Sequence, residues 1–215
     1  MTAKLGILLS GRGSNFEAIA ANVANGVLPA KIAVVISNRP EAPGINRASE
    51  LGLPAICLPS RGVPREEYDR QLARELKRWN VDLVCLAGFM RLLTPGFIRS
   101  FPQAILNIHP SLLPAFPGLN AQAQALAHGV KITGCTVHFV DEELDGGAII
   151  AQAAVPVLEE DTTESLSARI LVAEHRLYSE AIRLVLGGRC RIEGRQVLSS
   201  PCEAGRVPPV AQRDC

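Results

Sequence analysis

Asn107, His109 and Asp145 are the residues of this 215-residue chain whose types and spacing could do chemistry together. The first two stand in Asn107-Ile108-His109-Pro110-Ser111, the third in Leu144-Asp145-Gly146-Gly147. In an extended segment alternate side chains share a face, so Asn107 and His109 project to one side while Ile108 anchors on the other. Pro110 biases His109 toward extended backbone and cannot donate a ladder hydrogen bond, so a strand should end there. An amide and an imidazole side by side at a strand end can polarise a carbonyl and manage a proton, which is the chemistry of group transfer. Taken singly, each has a plainer reading: a satisfied core histidine, an asparagine bonding turn backbone, an aspartate before a glycine turn. Their joint placement near the ligand edge of a sheet favours catalysis.

That edge is built by an alternation of short apolar runs with helical patterns, as in a parallel α/β sheet. Leu5–Leu9, Ile32–Ile36, Ala55–Leu58 and Leu83–Ala87 read as strands; Asn15–Asn25, Gly44–Leu51 and Arg65–Trp79 read as helices. In the last, Tyr68, Leu72, Leu76 and Trp79 recur at helical spacing, which predicts core packing, and Pro64 suits its first turn. Right-handed crossovers place these strands in one sheet with helices on both faces. A short helix Pro95–Ser100, a strand Ala104–Ile108, a proline-rich loop Pro110–Gly118 and a helix from about Asn120 to Ala127 follow. Strands Ile132–Val140 and Ala148–Val155 read as a hairpin around the acidic loop Asp141–Gly147, which makes the sheet mixed. Thr162–Leu186 is a long helix stopped by Gly187-Gly188. From Glu203 the Pro, Gly and Arg content predicts a loose tail. No repeat or linker divides the chain, so one domain is expected.

A 47% apolar and 20% charged composition is that of a soluble globular protein, and a net charge of +1 offers no bulk attraction for nucleic acid or a membrane surface. No apolar run approaches the ~20 residues needed to span a bilayer, and Lys4–Leu9 runs into Ser10-Gly11-Arg12-Gly13 with no cleavage site. Cys57, Cys85, Cys135, Cys190, Cys202 and Cys215 show neither a disulfide framework nor a Cys-x-x-Cys pair, so reduced thiols in a cytoplasm are expected.

Ser10-Gly11-Arg12-Gly13-Ser14-Asn15 lies between the first strand and the first helix, at the ligand crevice of such folds. Its glycines permit close backbone approach, the helix N-terminus offers amides to an anion, and Ser14 or Asn15 can cap the helix. The loop is neither a dinucleotide fingerprint nor a P-loop, since Phe16 and Glu17 stand where a third glycine would and no Gly-Lys-Ser/Thr follows. It reads either as a glycine turn with a routine cap or as a site for a phosphorylated substrate. Metal binding is the poorer alternative: Cys135 and His138 point to opposite faces of a strand, and His109 with Asp145 are too few ligands for zinc. Ser111 lacks the Gly-x-Ser-x-Gly elbow of a serine hydrolase. His138 is read as supporting the Asp145 loop.

Asn107-Ile108-His109-Pro110-Ser111-Leu112-Leu113-Pro114, Gly134-Cys135-Thr136-Val137-His138-Phe139-Val140 and Leu144-Asp145-Gly146-Gly147, with Gly88-Phe89-Met90-Arg91, closely resemble the folate-dependent formyltransferases. Ser10–Asn15 resembles the phosphate loop of the branch that formylates glycinamide ribonucleotide. The resemblance runs from about Lys4 to Gly188. It implies a Rossmann-like formyltransferase domain over 1–188, with a phosphate-binding half (about 1–100), a folate and catalytic half (about 101–188), and a partly loose extension, 189–215. It implies that the amine of glycinamide ribonucleotide attacks the formyl carbon of the co-substrate 10-formyltetrahydrofolate, giving formylglycinamide ribonucleotide and tetrahydrofolate in purine biosynthesis, without a metal. Asn107 and His109 would stabilise the oxyanion, and Asp145 would pair with His109 and help move a proton.

By the same resemblance Gly13, Ser14 and Asn15 hold the phosphate and Glu174 contacts the ribose. Met90 contacts substrate or folate. Arg91, Leu92 and Leu93 line the pterin pocket, Val140–Asp145 (Asp141 included) partner the ring, and Arg65 meets the folate tail or the phosphate. Leu113-Pro114 resembles a family cis-proline. Asn120 stands where some members carry His, and Leu171 where some carry a polar residue near the phosphate, which leaves phosphate affinity open. A cytoplasmic monomer or homodimer is expected, with no nucleic-acid or membrane partner. A tRNA-directed formyltransferase would carry an added C-terminal domain and basic surface. A formyltetrahydrofolate hydrolase would lack the phosphate loop, and a nucleotide-binding module would give Asn107, His109 and Asp145 no joint task.

Overall fold

A computed structural model describes residues 2–188 and 190–199. The first half alternates strand and helix: β1 (Ala3–Leu9), α1 (Ser14–Ala24), β2 (Ala30–Ser37), α2 (Pro43–Glu50), β3 (Ala55–Cys57), α3 (Arg65–Arg78), β4 (Leu83–Leu86), α4 (Pro95–Ser100) and β5 (Ile105–His109). Then come α5 (Ala121–Ala127), β6 (Ile132–Phe139), β7 (Ile149–Pro156), α6 (Thr163–Leu186), β8 (Cys190–Glu193) and β9 (Gln196–Ser199). These strands form one sheet in the order β3-β2-β1-β4-β5-β6-β7-β9-β8. The pairs from β3 to β5 are parallel, while β6 runs antiparallel to both β5 and β7. The expected mixed α/β sheet is therefore what the chain forms.

Period-two alternation divides each strand between two cores. Leu5, Ile7 and Leu9 of β1, Leu83 and Cys85 of β4, and Leu106 and Ile108 of β5 pack with Phe16, Ile19, Ile170 and Tyr178 on the face covered by α1, α2 and α6. Leu8, Val84, Leu86 and Ile105 face the other way, onto Tyr68, Leu72 and Leu76 of α3 and Phe97 of α4. The residues predicted to pack α3 do so, with Trp79 donating to Glu75 at 3.0 Å; Pro64 is the N-cap of this helix rather than part of its first turn. A reciprocal Thr162–Ser165 capping box starts α6, and Gly188, at φ 64°, follows its end in a conformation that suits glycine.

One element escaped the sequence reading. β8 and β9 form a hairpin, and β9 joins the sheet edge through the parallel pair Ile149–Gln196. The four-residue strands Cys-Arg-Ile-Glu and Gln-Val-Leu-Ser are too short for their alternation to be read alone. Cys202, Cys215 and the Glu203–Cys215 tail lie outside the described residues.

Candidate active site

In the order β2-β1-β4-β5 the chain leaves β1 in opposite directions, making a topological switch point between β1 and β4, where ligands of open α/β sheets bind. The loops after three neighbouring strands are drawn together there. Ser10 donates from its N–H to the Gly88 carbonyl (3.0 Å), accepts the Met90 N–H on Oγ (2.8 Å), and gives its hydroxyl proton to Asn38 Oδ1 (2.6 Å). The glycine loop and the Gly88–Leu93 segment are thus one unit, next to the end of β5.

Asn107 and His109 share a face of β5, as alternation requires, and His109 is the last strand residue before Pro110. Antiparallel pairing sets His138 opposite Asn107 and Thr136 opposite His109. Asp145 arrives from the β6–β7 loop with φ 51°, a left-handed conformation that Asp tolerates better than most residues. Its Oδ2 accepts the Gly118 N–H at 2.8 Å and lies 3.4 Å from His109 Nδ1. Its Oδ1 lies 3.7 Å from His138 Nε2, which is itself 3.2 Å from Asn107 Nδ2. The predicted trio is therefore brought together, and His138 stands between its amide and its carboxylate.

The protons can be assigned from these contacts. His138 Nδ1 faces its neighbour's carbonyl, Phe139 O, at 2.8 Å and must donate to it. A neutral His138 then accepts from Asn107 on Nε2, whereas a ring with a second proton turns that nitrogen into a donor toward Asp145. His109 Nε2 lies 2.8 Å from the Phe116 carbonyl, so the ring has an acceptor at each nitrogen. Burial by itself would raise the Asp145 carboxyl. The His138 imidazole, the Gly118 N–H and His109 outweigh it and hold the group below its usual range.

Several groups in this shell were not singled out from sequence. The backbone of Phe116 and Gly118 holds His109 and Asp145, from a loop that passes through the cis Leu113–Pro114 bond that the resemblance implied. Thr136 accepts the Leu113 N–H (3.0 Å) and donates to the Ser111 carbonyl (2.7 Å), and Gln152 donates to Leu113 O (2.9 Å) and to Thr136 (3.0 Å). Ser111 is buried and gives its hydroxyl to the Ala115 carbonyl, a structural role. Arg195, in the β8–β9 turn, donates to Gly146 O at 2.8 Å and so touches the loop that carries Asp145. Polar Thr136 and Gln152, each in an apolar strand, were the signals available beforehand; backbone groups leave none.

At the glycine loop Gly13, with φ 80°, is the N-cap of α1 and no side chain caps the helix, contrary to the cap expected from Ser14 or Asn15. The first-turn amides of α1 are left for an anion. Asn15 is engaged elsewhere: its Nδ2 donates to Glu174 Oε2 at 2.7 Å. Burial pushes the Glu174 carboxyl up, and the Asn15 bond opposes this.

Among the expected folate contacts, Met90 and Leu92 are exposed, while Leu93 and Val140 pack partly against the α3–α4 core. Arg65 donates to Leu92 O at 3.1 Å. The Arg91 guanidinium turns back over the Tyr68 ring (4.5 Å to its centre), 4.0 Å from Asp69, so any pterin contact from this residue falls to its backbone. Asp141 uses its carboxylate to accept the Glu143 N–H within the loop. Asn120 is the N-cap of α5 at φ 57°, and Leu171 is half-buried. Among the described residues no group of three or more His, Cys, Asp or Glu could hold a metal, and no helix is long and apolar enough to cross a membrane.

Residues 3–182 match the formyl transferase family. The chain is 46% identical over 193 residues to the trifunctional purine biosynthetic protein adenosine-3 of Drosophila melanogaster; this covers 88% of the chain, which spans 14% of that protein's length. It is 43% identical to phosphoribosylglycinamide formyltransferase of Haemophilus influenzae, over 88% of this chain and 90% of that one. The crystal structure of glycinamide ribonucleotide transformylase 1 from Symbiobacterium toebii superimposes with a TM-score of 0.90 at 53% identity, covering 92% of this chain and 94% of that chain. The chain belongs to the formyl transferase family and stands within it among the phosphoribosylglycinamide formyltransferases.

Proposed function

We propose that the chain transfers the formyl group of 10-formyltetrahydrofolate to the amine of glycinamide ribonucleotide, with residues 1–188 as the working unit. The observation that carries the reading is the contact chain Asn107–His138–Asp145–His109 beside a glycine loop with uncapped helix amides. Gly13, Ser14 and Asn15 offer backbone N–H groups to the phosphate, and Glu174 faces the ribose. Met90, Leu92, Leu93, Val140, Asp141 and the backbone of Arg91 border the folate, with Arg65 toward its glutamyl end.

The amine nitrogen forms a bond to the formyl carbon, whose carbonyl oxygen takes the electron pair and becomes an oxyanion. Asn107 Nδ2 carries two protons; one goes to His138 and the other is available to that oxygen. His109 Nε2 donates to a neutral carbonyl, Phe116 O, and a charged oxyanion competes well for the same proton. The nitrogen gives up a proton, which Asp145 helps carry to the folate nitrogen as the carbon–nitrogen bond to it breaks. Asp145 suits this role because its neighbours keep it ionised.

The test is purified protein with 10-formyltetrahydrofolate, with and without glycinamide ribonucleotide. Tetrahydrofolate release that requires the amine is the expected result. Amine-independent release would mean hydrolysis, and no release would favour a binding module.

A further inference from the structure

Asp145 is carried by a turn that does little to hold itself. At φ 51° the residue adopts a conformation that a Cβ disfavours, and the turn closes from the Gly146 N–H to Glu143 O at a long 3.3 Å. Gly146 and Gly147 follow, and glycine loses more freedom on ordering than any other residue. The Gly118 N–H fixes one carboxylate oxygen but not the backbone that bears it. Keeping the carboxylate at His109 and His138 therefore calls for support from outside the turn.

The β8–β9 hairpin supplies it. Ile192 and Val197 pack the hairpin against the core, Gln196 pairs with Ile149 at the start of β7, and Gly194, at φ 60°, lets its turn be tight. Arg195, the second turn residue, is thereby carried to the loop that precedes β7. Its Nη2 donates to Gly146 O at 2.8 Å, and its Nη1 lies 3.6 Å from Glu143 Oε2. One planar guanidinium thus meets the chain on both sides of Asp145. The Glu143 carboxylate is laid over Gly146, where an added Cβ would lie 2.7 Å from Oε2. Arg99 of α4 ties Glu142 at 2.9 Å, but only upstream of Asp145. An exposed ion pair alone is worth little. The bond to Gly146 O is charge-assisted, and it comes from an element already fixed to the core.

We propose that Arg195 is a positioning residue for the reaction: its guanidinium brackets the turn at Glu143 and Gly146 and so keeps the Asp145 carboxylate against His109 and His138. The proposal rests on the role given to Asp145 above. Without the bracket the loop samples arrangements in which the carboxylate leaves the two imidazoles, and only the fraction with Asp145 in place turns over. Loss of one charge-assisted bond lowers that fraction, and with it kcat, about tenfold. The KM for glycinamide ribonucleotide, whose phosphate is assigned to the glycine loop, stays unchanged.

The experiment measures kcat, KM and Tm for the wild type, Arg195→Met, Arg195→Lys, Asp145→Asn and the double variant Arg195→Met/Asp145→Asn. The expected result is that Arg195→Met loses about tenfold in kcat at unchanged Tm, and that Arg195→Lys, able to keep one of the two contacts, recovers about threefold of that loss. Arg195→Met should add no further loss to Asp145→Asn, because Arg195 acts through that carboxylate. A folded Arg195→Met with wild-type kcat, or a loss that recurs in full on top of Asp145→Asn, would overturn the proposal. If Arg195→Met does not fold, Glu143→Gln reads the bracket from its other end: a loss of about two- to threefold in kcat supports it, and full turnover overturns it. If the wild type transfers no formyl group, the formyl-transfer reading fails instead. Hydrogen exchange over residues 141–147 then decides the bracket by itself: faster exchange in Arg195→Met supports it, and equal exchange overturns it.

Discussion

Replacing Asp145 by Asn keeps the side-chain shape, and one oxygen can still accept the Gly118 N–H, but the carboxylate charge beside His109 is gone. The two side chains are 6% and 9% exposed, so solvent screens them little. At 3.4 Å and an effective dielectric of about 20, a full charge on His109 gains about 5 kcal/mol from the carboxylate. If about half of that charge has developed at the transition state, the loss is about 2.5 kcal/mol, on the order of 10²-fold in turnover. The new amide adds to this, because its N–H can donate to His138 Nε2 and displace Asn107 from that nitrogen. Asp145→Asn should therefore lower kcat by about 10²–10³ with donor KM little changed. The assay is spectrophotometric tetrahydrofolate release under saturating substrates, beside a melting curve that establishes folding. A folded variant with more than about one fifth of wild-type turnover would refute the placing of Asp145 charge at the reacting centre.

Asn107→Ala should cost about 10²–10³ in kcat by removing the Nδ2 donor, measured in the same assay; near-full turnover would dismiss Asn107 as an oxyanion donor. Gly147→Ala should fail structurally, since an added methyl would lie 1.8 Å from the Phe139 carbonyl oxygen. A cost of about 2 kcal/mol would lower Tm by about 4–8 °C, and an unchanged Tm would show that the turn rearranges freely. For Glu174 the sign runs opposite to that of an ordinary paired carboxylate. Its folded pKa lies above the unfolded value of about 4.3, so its contribution to stability is present below that pH and is lost as pH rises through the folded value. Denaturant titrations from pH 4 to 8 should show Glu174→Gln losing less stability than wild type over that rise; parallel curves would refute it.

Much of the fold could be read beforehand because alternation and helical spacing are strong in β1, β2, β4 and α3, whose apolar residues serve two opposite cores. The α1 cap was misread because Gly13 and Ser14 are both plausible boundary residues, and the choice depends on Gly13 adopting φ 80° against the Gly44 backbone. The β8–β9 hairpin was missed because Gln196 of β9 pairs with Ile149 of β7, 47 residues earlier, and no local pattern reports it. Arg91 illustrates the same gap for a side chain: its place in the motif is plain, but only packing reveals that its charge lies over Tyr68.

From sequence alone it follows that Asn107 and His109 share a face and that their strand stops at Pro110, since both depend on backbone geometry over four residues. That Asp145 meets them does not follow. It depends on β6 pairing antiparallel to β5 in the register that sets His138 opposite Asn107, and on the hairpin returning its loop to that strand end. A one-residue slip of β6 would turn His138 and Thr136 to the opposite face. The two facing cores and the backbone carbonyls and amides of the Pro110–Gly118 loop exclude that slip, and they act only once the whole sheet is assembled.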